Sequence, residues 1–323
     1  MRDISKQRWK FLGLAALMLA LLAPLPGARA EEALHIGWLR GPNDLTLAKA
    51  HASIEKALAP EGIRVVWDGP FPAAAPAFQA LNAGSIDITA GSSASVVAGL
   101  AANIPLVVFA YQKMSPSAEG IVVRNGAPIA SLADLQGKSV AVNRGGTGEY
   151  LLSRALEVNH IDPAKVTRVY LDPADSGPGF LQGHVDAWAT WDPFLALARS
   201  AYDGHVLADG GVIGSDNAVV LVASRHLTQE RATLLRHVFS VIRAENSWAQ
   251  AHPAEAGAIW ATEMNIPASL AAEIGANNAV PTHAVTSADV AQIGRIADWY
   301  LAARIIPAKP DIAAGVVKLE DTP

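Results

Sequence analysis

The stretch Val185-Asp186-Ala187-Trp188-Ala189-Thr190-Trp191-Asp192-Pro193-Phe194 decides the fold class. Val185–Thr190 reads as a strand, and Pro193–Ala201 reads as a helix. Pro193 takes the first helical position, where a missing N–H costs nothing. A strand running directly into a helix is the opening of a βαβ unit. Trp188 and Trp191 stand three apart, so on a strand their rings point to opposite faces and one of them is core. Trp191, at the strand end, is the better candidate for the wall of a ligand site. Asp192 either caps the following helix or contacts a ligand.

The same alternation extends outward in both directions. Upstream, strands over Leu34–Leu39, Ile63–Trp67, Ile86–Thr89 and Leu106–Ala110 alternate with helices over Leu45–Ala59, Ala74–Ala83 and Ser92–Ala102. A second series holds strands at Gly120–Arg124, Ser139–Val142 and Val169–Leu171. Short helical Ser131–Gln136 and a helix from Gly148 to Asn159 lie between them, while Pro178 and Gly179 weaken any helix before Val185. After the strand Ala218–Ser224 the chain is mostly helical. Thr228–Ala251 is the longest helix, and Ser287 caps a last one to about Arg304. This pattern predicts an α/β protein with parallel sheets covered by helices on both faces.

Composition sets outer bounds. With 323 residues, 51% hydrophobic and 17% charged, the chain is long enough for two domains and is neither disordered nor fibrous. Having no Cys, it has no disulfide, thiolate metal site or cysteine nucleophile. Arg2, Lys6, Arg8 and Lys10 precede a charge-free run, Phe11 to Ala28, and Ala28-Arg29-Ala30 has the A-x-A cleavage form. Residues 1–30 are therefore expected to be a secretory signal peptide and the mature protein to be soluble and periplasmic. Their removal takes away five basic residues against Asp3, so a formal charge of −5 becomes −9. Nucleic acid is an unfavourable partner for such a chain, and an anion must be captured by local dipoles.

In open α/β sheets ligands sit beyond the C-terminal strand ends, where helix N-termini offer free N–H groups. Four loops occupy such positions. They are Leu39-Arg40-Gly41-Pro42, Gly91-Ser92-Ser93, the run Asn143 to Gly148, and Trp191-Asp192-Pro193-Phe194. In the third, Gly145 to Gly148 lets the backbone approach a ligand while Thr147 supplies a hydroxyl; equally, it is a strand-to-helix turn that needs glycine for its dihedrals. Ser92-Ser93 is its serine-rich twin. Arg40 either adds a positive charge to the site or is a solvated loop residue. Trp38 is a second wall or core.

Enzymatic signatures are missing. Leu151 stands where a dinucleotide fingerprint starting at Gly146 needs glycine, and Leu132 stands where a phosphate loop ending in Gly137-Lys138-Ser139 needs one. No two of the nine His are spaced H-x-x-x-H, and no G-x-S-x-G is found. No cofactor, metal or catalytic residue is expected.

These residues together resemble a known family. Ala80-Leu81-Asn82-Ala83-Gly84-Ser85-Ile86-Asp87, Asp134-Leu135-Gln136-Gly137-Lys138 with Val140-Ala141-Val142-Asn143, Tyr150-Leu151-Leu152 with Arg154-Ala155-Leu156, and the stretch that opened this section are similar to type II periplasmic solute-binding proteins. Trp191-Asp192-Pro193-Phe194 narrows the likeness to the aliphatic sulfonate-binding proteins of ABC importers, within the sulfonate/nitrate/taurine family. The resemblance implies two doubly wound lobes joined by two crossover strands: 31–117 with 221–323, and 118–220. It implies a monomer that binds a small organic anion or zwitterion between the lobes, performs no reaction, and delivers its cargo to a permease in the inner membrane. Arg40, Gly41, Ser92, Ser93, Gly146, Thr147, Gly148, Trp191 and Asp192 would hold that ligand. Glu149 departs from the family pattern and would repel an anion unless it faces away, which leaves room for taurine. Nitrate, a thiamine-precursor pyrimidine, or an enzyme on the same fold are the alternatives.

Overall fold

The structure is a computed structural model and describes residues 32–319; the expected signal peptide, 1–30, lies outside them. Eleven strands form two sheets. The first is ordered β11-β4-β10-β3-β1-β2, with β1 Glu32–Leu39, β2 Ile63–Phe71, β3 Ile88–Ser92, β4 Leu106–Lys113, β10 Ala218–Ser224 and β11 Thr282–Ala284. The second is ordered β7-β6-β8-β5-β9, with β5 Glu119–Arg124, β6 Ser139–Val142, β7 Thr167–Tyr170, β8 Ala187–Trp191 and β9 Gly204–Asp209.

Both sheets are buried on both faces, and the sequence shows why. Along β10, Val220 and Val222 enter one core while Leu221 and Ala223 enter the core on the opposite face. Along β5, Ile121 and Val123 face one way and Val122 the other. Period-two side chains that are apolar on both faces require a helical layer on each side.

The sheets are not wholly parallel. β10 runs antiparallel to β3 and β4, and β5 runs antiparallel to β8 and β9. The reason is topological. These strands arrive from the other lobe, entering at the end where the resident strands finish, and so must run against them. Of the residues placed in the second lobe on sequence, Val219 and Val220 pair with Ser92 and Gly91, and Ala218–Val220 pair with Lys113–Tyr111 of β4, all in the first sheet.

Local departures have local causes. The helix expected over Leu45–Ala59 breaks at Ala52, which adopts a left-handed conformation between Asp44–His51 and Ser53–Leu58. The helix expected from Thr228 to Ala251 is divided at Arg231. Pro173–Leu181 is helical with Pro178 inside it, and Thr286, not Ser287, caps the last helix with Asp289 completing a capping box. β9 and β11 carry no alternation strong enough to be read in isolation. No described helix is long and apolar enough to cross a membrane.

Candidate functional site

Two turns meet where the lobes face each other. In the first lobe, β3 ends at Ser92, whose side chain accepts from the Ser95 N–H (3.1 Å) and so caps the helix Ser93–Ala101. The Ser92 and Ser95 hydroxyls lie 2.9 Å apart. In the second lobe, β6 leads through Asn143–Gly146 into the helix Thr147–Val158. Helix N-termini leave backbone donors beyond the reach of any intrahelical acceptor, so both turns direct positive dipole ends at the space between them.

That space is a narrow cleft of about 70 Å3. Arg40, Gly41, Ser92, Thr147, Trp191 and Asp192 of the expected site residues line it together. The Arg40 guanidinium is exposed and has no hydrogen-bond or ion-pair partner among the described residues. Gly41 contributes a tight backbone whose carbonyl accepts from Asn43 Nδ2 (2.9 Å) and Thr46 Oγ1 (3.1 Å). Trp191 packs edge-on against Phe194 at 5.8 Å and faces the cleft, whereas Trp188 is core. Among the described residues Trp191 is the only aromatic one lining this cleft.

Ser93, Gly146 and Gly148 do not line it; all three are engaged behind its wall. Ser93 Oγ donates to Asn217 Oδ1 (3.0 Å) and accepts from the Ala218 N–H (3.1 Å). The Gly148 N–H donates to Asn143 Oδ1 (2.7 Å), and a Cβ at Gly148 would stand 2.4 Å from the Ala189 carbonyl oxygen. A Cβ at Gly146 would stand 2.0 Å from Asn143 Nδ2 and 3.2 Å from Ser95 Oγ. Glycine is thus needed where backbone and neighbouring side chains close up. Trp38 is also away from the cleft, under the Lys49 ammonium at 4.6 Å. Glu149 turns away as well, accepting from the Gly145 N–H and the Tyr170 hydroxyl, both at 2.6 Å.

Three side chains without a sequence signal complete the arrangement. Asn217, on the link into β10, bridges the lobes: Nδ2 donates to Thr147 Oγ1 and Glu119 Oε2, both at 3.1 Å, while Oδ1 accepts from Ser93. Asn277 and Asn278, on the helix Ala271–Asn278, both donate to Asp192 Oδ2 (3.0 and 3.1 Å). Among the described residues Asp192 Oδ1 is buried and has no side-chain partner. Burial pushes the Asp192 carboxyl up to about 6, against the pull of those amides, and pushes Glu119 up to about 7. Among the described residues no group of three or more His, Cys, Asp or Glu could hold a metal.

Two α/β lobes, two crossings and a cleft between opposed helix N-termini define a periplasmic binding protein of the second type. The family model described as NMT1/THI5 like matches residues 59–256, and the chain belongs to that family. It is 30% identical to the periplasmic aliphatic sulphonate binding protein SsuA from Escherichia coli, with a TM-score of 0.77 over 90% of this chain and 95% of that one. It is 25% identical to the alkanesulfonate-binding protein SsuA from Xanthomonas axonopodis pv. citri, solved bound to MOPS, with a TM-score of 0.81 over 89% and 98%. The desulfurization enzyme DszB, 16% identical with a TM-score of 0.61 over 89% and 96%, shares the fold alone.

Proposed function

We propose that the protein is the solute-binding component of an ABC importer, capturing an aliphatic sulfonate in the cleft and presenting it to a permease in the inner membrane. The observation that carries this reading is the convergence of two helix N-termini, the Ser92, Ser95 and Thr147 hydroxyls and the unpaired Arg40 guanidinium on one narrow space. Hydrogen bonds to a charged oxyanion are each worth roughly 1.5–3 kcal/mol, and a helix dipole adds about 0.3–1 kcal/mol. Trp191 would cover the organic part. Residues 1–30 direct export to the periplasm and are removed, and the mature chain acts as a monomer. Among the described residues, 32–117 with 218–319 would form one lobe and 118–217 the other, the pairing of Ala218–Val220 in the first sheet moving the boundary from 220; ligand binding shifts their hinge equilibrium toward closure.

No described histidine lines the cleft, and the hydroxyls there pair with each other and with Asn217 in place of a general base, which supports binding over turnover. A single aromatic wall argues against a pyrimidine. The Asp192 carboxyl lines the cleft and brings negative charge toward an ammonium group, and so puts taurine beside 1-propanesulfonate among the ligands to try first. A thermal-shift screen of the mature chain with 1-propanesulfonate, taurine, nitrate and a pyrimidine tests the reading. The sulfonates should raise the melting temperature while nitrate and the pyrimidine leave it in place. A rise with either of those alone, or chemical conversion of a sulfonate, overturns it.

A further inference from the structure

We propose that the protein carries a second binding site, for a small amphipathic organic anion, in a groove distinct from the cleft. The groove has a volume of about 890 Å3 and runs between the lobes; small-molecule sites span roughly 300–1,000 Å3. No described residue lines both spaces. The turn before the helix Thr147–Val158 divides them. Asn143 lines the cleft, Arg144 and Gly145 line the groove, and the Tyr300 hydroxyl donates to the Gly146 carbonyl between them (3.4 Å).

The two walls of the groove differ in chemistry. On the second-lobe wall the Arg144 guanidinium lies 3.6 Å over the Tyr170 ring. Beside it, Arg168 donates through Nη2 to Ser153 Oγ (3.1 Å) and keeps its Nε buried with no partner among the described residues. The first-lobe wall is apolar, built on Ala98, Ala101, Trp299, Ile305 and Ile306, and its one charge is Arg304. Both carboxylates of the groove are already engaged: Glu149 by Gly145 and Tyr170, Glu157 by Arg154 at 2.6 Å. Among the described residues no carboxylate pairs with Arg144, Arg168 or Arg304.

An occupant that satisfies this groove brings negative charge to one wall and apolar surface to the other. A compact anion such as nitrate leaves the Trp299 side uncovered, and an uncharged hydrocarbon leaves three guanidiniums facing it. Because the walls belong to different lobes, an occupant crosslinks them and biases their relative position. Guanidinium–carboxylate contacts are among the stronger polar interactions, so their loss has a readable effect.

Isothermal titration of the mature chain with 2-naphthoate, a carboxylate with an aromatic body, tests the site. Saturable one-to-one binding is expected, weakened about tenfold or more in an Arg144→Ala/Arg304→Ala double variant. Both side chains are exposed, so the variant should keep the wild-type melting temperature. Saturating 1-propanesulfonate should not displace the naphthoate. Absence of saturable binding, equal affinity in the double variant, or displacement by 1-propanesulfonate overturns the proposal. The double-variant result stands whatever fills the cleft, so this site and the sulfonate reading can fail separately.

Discussion

The two turns that face each other across the cleft are built on opposite plans. The serine turn of the first lobe caps its own helix with Ser92 and keeps two hydroxyls at the cleft surface. The glycine turn of the second lobe consumes its donors internally: the Gly148 N–H goes to Asn143 and the Gly145 N–H to Glu149, leaving Thr147 as its hydroxyl at the cleft. Glycine-rich loops suggest ligand cradles because they can approach a ligand. Here the same freedom serves close packing against Asn143, Ser95 and the Ala189 carbonyl. The serines are the richer donor set.

Asn217 joins the two plans, and removing it should have the largest effect. Asn217→Ala leaves Ser93, Thr147 and Glu119 each short of a buried partner. With about 1 kcal/mol per hydrogen bond and a further penalty for stranded groups, a loss of roughly 3–4 kcal/mol of stability is expected in urea denaturation. A loss near zero would show that the turns hold their positions without it.

The next effect in size concerns the carboxyl that lines the same cleft as both turns. The Asp192 value lies above its ordinary 3.8, at about 6, so the folded state binds its proton more tightly than the unfolded state does. Its contribution is therefore fully present below pH 4 and is lost as the pH rises through 6. Glu119 and Asp44, raised to about 7 and about 6 by burial, act in the same direction. The ligand-free protein should be more stable at pH 5 than at pH 8, with Asp192 supplying at most about 1.4 kcal/mol of the difference. Asp192→Asn should flatten the profile by that share; an unchanged profile would mean that the carboxyl titrates normally.

Smallest is the direct comparison of hydroxyls. Ser92→Ala and Thr147→Ala should each weaken sulfonate binding about tenfold, the equivalent of ~1.4 kcal/mol. Ser92→Ala should also lower ligand-free stability by about 1 kcal/mol through its lost cap. Calorimetry that finds Thr147→Ala far more damaging to affinity than Ser92→Ala would restore the glycine turn as the principal donor.

Much of this was legible in the chain. Strands and helices alternate visibly because their apolar periods differ, two against 3.6. Every loop nominated for the ligand site lies at a C-terminal strand end, as the sheet topology requires. Individual contacts were less legible. Ser92 and Ser93 are adjacent in sequence, yet one faces the cleft and the other is spent on Asn217, more than a hundred residues away. Asn217, Asn277 and Asn278 belong to no motif, and their roles arise only when the chain's return crossing and its C-terminal helices are folded against the second lobe.

The sequence by itself determined the alternation of elements, the two-lobed class and the strand ends that line the cleft, because these follow from local periodicity and capping. The tertiary structure alone decided which donors remain free, which way Glu149 turns, and that three arginines gather along a second groove. Those outcomes depend on partners distant in sequence, whose approach is set by packing and not by any local preference of the chain.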